Sequence, residues 1–189
     1  MVTSSTLDTI TWLFERAIQD NAKGGDDHCI VARSPERDEV DEAKNRHLIV
    51  LNIASYTFRF VALFDFAKDV ATREHLARVL RSPEAAQEGQ AATDAYAEFV
   101  NLICGAVNRE LCNVFRHGGM STPSVLDSQC MRYVATLKPA ETLSFDVVIN
   151  EAMRFRLVVC ICVSKGTTLE FQVDRSQVVE EVTGELELF

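Results

Sequence analysis

The chain has 189 residues, 47% of them hydrophobic, and a formal net charge of −9 at pH 7. That length suits one domain with a modest extension, and the apolar share is too high for wholesale disorder. The negative balance disfavours a nucleic-acid backbone or an anionic membrane as partner, which leaves proteins and small molecules. The first six residues lack a cationic region followed by an apolar run. No window approaches the roughly 18 apolar residues of a spanning helix, so a cytoplasmic location is expected.

Residues 6–19 place Leu7, Ile10, Leu13, Phe14, Ala17 and Ile18 at helical spacing, with Ser4, Ser5 or Thr6 as the candidate cap. Residues 23–46 hold Gly24-Gly25, Ser34-Pro35 and many charges, and read as a flexible linker with a short apolar interruption at 29–32. Two apolar runs between 47 and 66 predict two strands. A helix is expected over 67–81, stopped by Ser82-Pro83, then a short polar helix or loop over 84–90. Residues 93–116 give the longest helical signal, with Thr93 as candidate N-cap and His117-Gly118-Gly119 as the stop.

The period then changes. Residues 121–126 contain Thr122-Pro123 and read as an edge strand or an extended lead-in. Strands are expected over 131–137, 143–150, 155–163 and 168–173, the last two joined by a turn at Lys165-Gly166. The remainder is an acidic tail with room for one short helix. Early helices and late strands predict an α+β domain: one predominantly antiparallel sheet with two long helices packed on one face, plus an N-terminal helix. The expected divisions are 1–45 for that helix and its charged linker, 46–174 for the domain and 175–189 for the tail.

Six cysteines (Cys29, Cys104, Cys112, Cys130, Cys160, Cys162) form no CxxC, and read as small hydrophobes. Cys160 and Cys162 share one face of a strand. His28, His47, His75 and His117 show no ligand spacing, so no metal site is expected. There is no P-loop, no G-x-G-x-x-G and no G-x-S-x-G elbow.

The long helix carries the chemistry. At about 100° per residue, Asp94, Glu98, Asn101, Gly105, Asn108, Arg109 and Cys112 fall within about a third of the circle. Phe99, Val100, Ile103, Ala106, Val107, Leu111 and Val114 fill the opposite, core side. Gly105 is out of place in an exposed helix, where it costs about 1 kcal/mol relative to alanine. Its missing side chain allows either tight internal packing or close approach by a partner. Glu98 and Asn101 are i, i+3 neighbours, a spacing too common to carry weight alone.

The run from Asp94 to Leu111, with Glu98-x-x-Asn101 and then Gly105, resembles the signature helix of the CheX/CheC-type chemotaxis phosphatases. The segment Met120-Ser-Thr-Pro123-Ser-Val125 resembles the serine/threonine-proline-valine stretch that follows that helix, and Phe60-Val-Ala-Leu-Phe64 leads into a helix ending Arg78-Val-Leu80, similar to the unit that precedes it. A single Glu/Asn motif favours the CheX-like branch. The resemblance implies a cytoplasmic phosphatase of two-component signalling that accelerates hydrolysis of the phospho-aspartate of a CheY-type response regulator. It implies that Asn101 positions the attacking water and that Glu98 engages a cationic side chain of the regulator. Asp94, Gly105, Asn108 and Arg109 would then meet the partner. The chain needs no cofactor of its own, Mg²⁺ being expected on the regulator, and a homodimer joined at sheet edges is implied. The alternative is a non-catalytic regulator-binding or dimerisation module on the same fold.

Overall fold

A computed structural model of the chain describes residues 1–35 and 46–175. Helix α1 (Ser4–Asn21) starts at Thr3, whose hydroxyl accepts the Thr6 N–H at 3.3 Å, and it buries Ile10, Leu13, Phe14, Ala17 and Ile18. The cap thus lies one residue before the three expected. Strand β1 (Cys29–Arg33) occupies the apolar interruption of the stretch read as a linker. It pairs antiparallel with β6 (Glu141–Ile149), in register Cys29↔Ile149. Five residues of that stretch are therefore an edge strand, because Cys29 and Val31 pack toward the core.

Strands β2 (Arg46–Ala54) and β3 (Phe58–Ala67) form a hairpin. Helix α2 (Val70–Val79) follows, capped by the Asp69 carboxylate on the Thr72 N–H at 2.7 Å. A 3₁₀ turn (Pro83–Ala86) leads to the long helix α3 (Gln90–Val114). Two short strands, β4 (Gly119–Met120) and β5 (Ser124–Leu126), both pair with β2. Strand β7 (Met153–Val163) follows β6 through Asn150 and Glu151, both at positive φ (51° and 59°). Such a turn matches strand twist and suits asparagine. The sheet order is β1-β6-β7-β3-β2-β4, with β5 beside β2, and every strand pair is antiparallel.

Alternation sorts the sheet into two faces. On one face, Ile49, Leu51, Phe60, Phe64, Phe66, Phe145, Phe155 and Leu157 meet α1 and α3 in the main core. The N-terminal helix packs Ile10, Leu13, Phe14, Ala17 and Ile18 into this same core. The other face holds Leu48, Val61, Leu63, Val158 and Cys160. It is covered by a 3₁₀ segment (Ser128–Leu137), which packs Cys130, Met131, Val134 and Leu137 against it. The sequence suggests a strand over 131–137. The residues that touch the sheet recur at three- and four-residue steps, which only a helical turn can bring to one side.

The expected strand over 168–173 reduces to one parallel bridge, Val2↔Leu169. That segment instead binds the start of α1: the Leu169 N–H donates to the Met1 carbonyl at 2.8 Å, and the Phe171 N–H to the Thr6 hydroxyl at 3.0 Å. The short helix considered for the acidic tail falls outside the described residues.

Candidate functional site

Helix α3 begins at Gly89, not Thr93. Gly89 sits at φ 137°, a backbone open to glycine, and the Thr93 hydroxyl donates back to its carbonyl at 3.3 Å. The extra turn places Asp94 inside the helix, where its carboxylate accepts from Gln90 Nε2 at 2.7 Å. Aromatic packing then sets the helix's rotation. Phe99 meets Phe66 and Phe155 edge-on, with centroids 5.9 and 5.8 Å away. The Tyr96 hydroxyl donates to the Ala67 carbonyl at 3.2 Å, and burial pushes its phenol up to about 12. With Tyr96, Phe99, Val100, Ile103, Val107 and Leu111 turned inward, the opposite stripe must face out.

The core side differs from expectation at two places: Ala106 is only partly buried and Val114 is 41% exposed. Cys104, read as a small hydrophobe, is fully buried. Burial drives the Cys104 thiol far above its usual range, so it is an inert core group.

On the outward stripe, Asp94, Glu98 and Arg109 are exposed, and Asn101, Gly105 and Asn108 are half-buried. Among the described residues, the side chains of Glu98 and Asn101 have no hydrogen-bond or ionic partner. A Cβ built on Gly105 would meet nothing within 4 Å, so internal packing does not require the glycine. The Asn108 Oδ1 is buried with no partner among the described residues.

Asp94, Ala97, Glu98 and Asn101 form one wall of an open groove of about 380 Å³. Met120, Ser121, Thr122 and Pro123 form the other. The second wall exists because the edge strand beside β2 is broken. Met120 pairs with Ile53 and Ser124 with Val50, but Pro123 has no N–H to continue the ladder. Ser121 bridges the gap: its N–H donates to the Asn52 carbonyl at 2.9 Å, and its hydroxyl accepts the Asn52 N–H at 3.0 Å. The same hydroxyl donates to the Thr122 carbonyl at 3.0 Å, which fixes the arch.

The structure therefore brings Asp94, Glu98 and Asn101 together in the groove, while Gly105, Asn108 and Arg109 continue the stripe beyond it. The residues of the second wall had no assigned role in sequence. The available signal was Thr122-Pro123, which marks where an edge strand must leave its ladder. Among the described residues, no group of three or more His, Cys, Asp or Glu is placed to hold a metal ion, and no helix is long and apolar enough to cross a membrane. The groove can offer a carboxylate, a carboxamide and hydroxyls to an incoming partner, and contains no activated nucleophile.

No protein-family model matches the chain, and no curated protein matches it. Solved structures do. A chain of the CheX-CheY-BeF3-Mg²⁺ complex from Borrelia burgdorferi aligns with TM-score 0.55 at 11% identity, over 82% of this chain and 97% of that one. Chemotaxis protein CheX from Vibrio vulnificus aligns with TM-score 0.52 at 13% identity, over 82% and 97%. A CheC-like superfamily protein from Shewanella sp. PV-4 aligns with TM-score 0.52 at 9% identity, over 84% and 98%. The chain has the CheX/CheC-type fold.

Proposed function

We propose that this domain binds a phosphorylated CheY-type response regulator in chemotaxis signalling and accelerates loss of its phosphoryl group. The observation that carries this reading is the Glu98–Asn101 pair: outward-facing, unpartnered among the described residues, and set along one wall of an open groove. The fold supports it too, since one of the similar structures is a complex with CheY, BeF3 and Mg²⁺.

Phosphoryl transfer asks a protein mainly for positioning and electrostatics. The regulator brings the phospho-aspartate and a Mg²⁺ that offsets charge on the phosphoryl oxygens. Asn101 brings a carboxamide that holds a water without adding charge beside an anion. Glu98 engages a cationic side chain at the regulator's site, which fixes the register of docking. Gly105 lets the partner lie close against α3, with Asp94, Asn108 and Arg109 at the margins of the contact. The same reading carries a cytoplasmic location and a homodimer joined at a sheet edge. Strand β1 pairs only with β6 among the described strands, which supports an edge open to a second copy; light scattering at several concentrations tests the dimer.

The test of function follows phosphate loss from Mg²⁺-bound CheY-type regulators charged with acetyl phosphate. Acceleration by the wild type that disappears in Asn101→Ala is expected. Binding without acceleration, across several regulators from the same cell, would make the domain a non-catalytic binding module.

A further inference from the structure

We infer that the Thr122 hydroxyl is the second group that orients the attacking water, from the wall of the groove opposite Asn101; this rests on the phosphatase reading above. A water held by one acceptor still swings about that hydrogen bond. Its lone pair points steadily at phosphorus only when a second acceptor takes its other proton. The Asn101 carboxamide oxygen supplies one acceptor, so the groove should supply another.

Five polar side chains line the groove, Asp94, Glu98, Asn101, Ser121 and Thr122, and two of them are committed. Asp94 is taken up by Gln90. The Ser121 hydroxyl is used twice, accepting from Asn52 and donating to the Thr122 carbonyl. Glu98 is a carboxylate, and a negative oxygen beside an anionic phosphoryl group is repelled. Among the described residues, Thr122 has no side-chain partner, and its oxygen is neutral. A hydroxyl can accept from the water and donate its own proton to a phosphoryl oxygen at the same time.

Thr122 is also held in place. Ser121 fixes its carbonyl, and the following Pro123 restricts its backbone to extended conformations. Such bracing fits a group whose position matters more than its bulk. In the step itself, the water oxygen forms a new bond to phosphorus as the bond to the regulator's aspartate oxygen breaks. The carboxylate leaves with the electron pair, and the water's protons pass to inorganic phosphate and solvent. Thr122 gains and loses no proton overall.

Thr122→Val replaces the hydroxyl with a methyl of similar shape, Thr122→Ser keeps the hydroxyl, and Thr122→Ala removes it without adding exposed apolar surface. Phosphate release is measured with the full chain and acetyl-phosphate-charged, Mg²⁺-loaded CheY-type regulators over a range of regulator concentrations, with a thermal melt of each variant. Valine and alanine should each lower kcat about ten- to hundredfold with KM within about twofold of wild type, as expected for loss of orientation rather than docking. Serine should keep at least about half of kcat. Wild-type kcat in the valine and alanine variants overturns the inference and leaves the phosphatase reading standing. A serine variant as slow as valine, or a loss confined to KM, overturns it as well. Failure of the wild type to accelerate release overturns both.

Discussion

Gly105→Ala adds one methyl group to the outward side of α3, one turn past Asn101. Alanine is favoured over glycine inside a helix by about 1 kcal/mol. The added Cβ meets nothing within 4 Å, so no clash offsets that gain. For a chain of this size about 1 kcal/mol raises the melting temperature by roughly 2–4 °C. Docking should respond in the opposite direction. A methyl group forced into a close-packed contact costs roughly 1–3 kcal/mol, which is about 5- to 150-fold in affinity. Calorimetry or a circular dichroism melt reads the first effect, and titration of a phosphorylated CheY-type regulator reads the second. A variant that melts below wild type would show that the glycine serves internal packing. A more stable variant with unchanged affinity would show that no partner backbone approaches at that point.

Other perturbations separate further roles. Glu98→Gln keeps the shape of the side chain and removes its charge; KM for the regulator should rise several-fold while kcat stays within about threefold, and an unchanged KM refutes the docking role. Phe14 is fully buried, with its ring centroid 6.5 Å from that of Phe145, so Phe14→Ala should cost about 3–5 kcal/mol in urea unfolding if α1 is part of the core; a loss under about 1 kcal/mol would make α1 an appendage. Burial and the nearby Arg78 hold His75 below its usual value, despite the opposing Ala22 carbonyl and Asp27, and burial with Lys68 does the same for His47. Groups held neutral in this way support the fold above the unfolded value of about 6.5, and that support is lost as pH falls through their folded values. Burial raises the Asp27 carboxyl, but hydrogen bonds from Arg78, the Gly24 N–H and Asn150 outweigh it and hold it at about 2. Its support is present above about 3.8 and is lost as pH falls toward 2, so the stability gap between wild type and Asp27→Asn should be widest near neutral pH and close between pH 4 and 2. A gap that stays constant down to pH 2 refutes the Asp27 assignment.

The acid-sensitive group also shows how distant pieces of chain are fastened. Asp27 lies in the α1–β1 connection, Arg78 at the end of α2 and Asn150 in the β6–β7 turn, and the carboxylate joins them through bonds of 2.7 and 2.6 Å. His75 adds a contact of 2.7 Å to the Ala22 carbonyl. None of these residues has a sequence pattern that announces its partner, because the separations run to more than a hundred positions.

What could be read from the sequence alone was whatever repeats locally. The helical period of α3, with Phe99, Val100, Ile103, Val107 and Leu111 on one side, already put Glu98, Asn101 and Gly105 on the other. The alternation of β3, β6 and β7 already demanded a sheet with a buried face. These features follow from 3.6- and 2-residue repeats acting within a few residues of each other. Decisions between segments far apart needed the folded chain. Residues 29–33 became a strand because β6 offered an edge, a partner more than a hundred residues away. Residues 128–137 became a 3₁₀ cover because an apolar sheet face lay beneath them. Residues 168–173 lost their expected ladder to the first turn of α1. The second wall of the groove is of the same kind. Ser121 and Thr122 are polar residues in a short loop, and only the break in the β2 edge at Pro123 sets them across from Glu98 and Asn101, since burial and hydrogen bonding reward contacts in space without regard to distance along the chain.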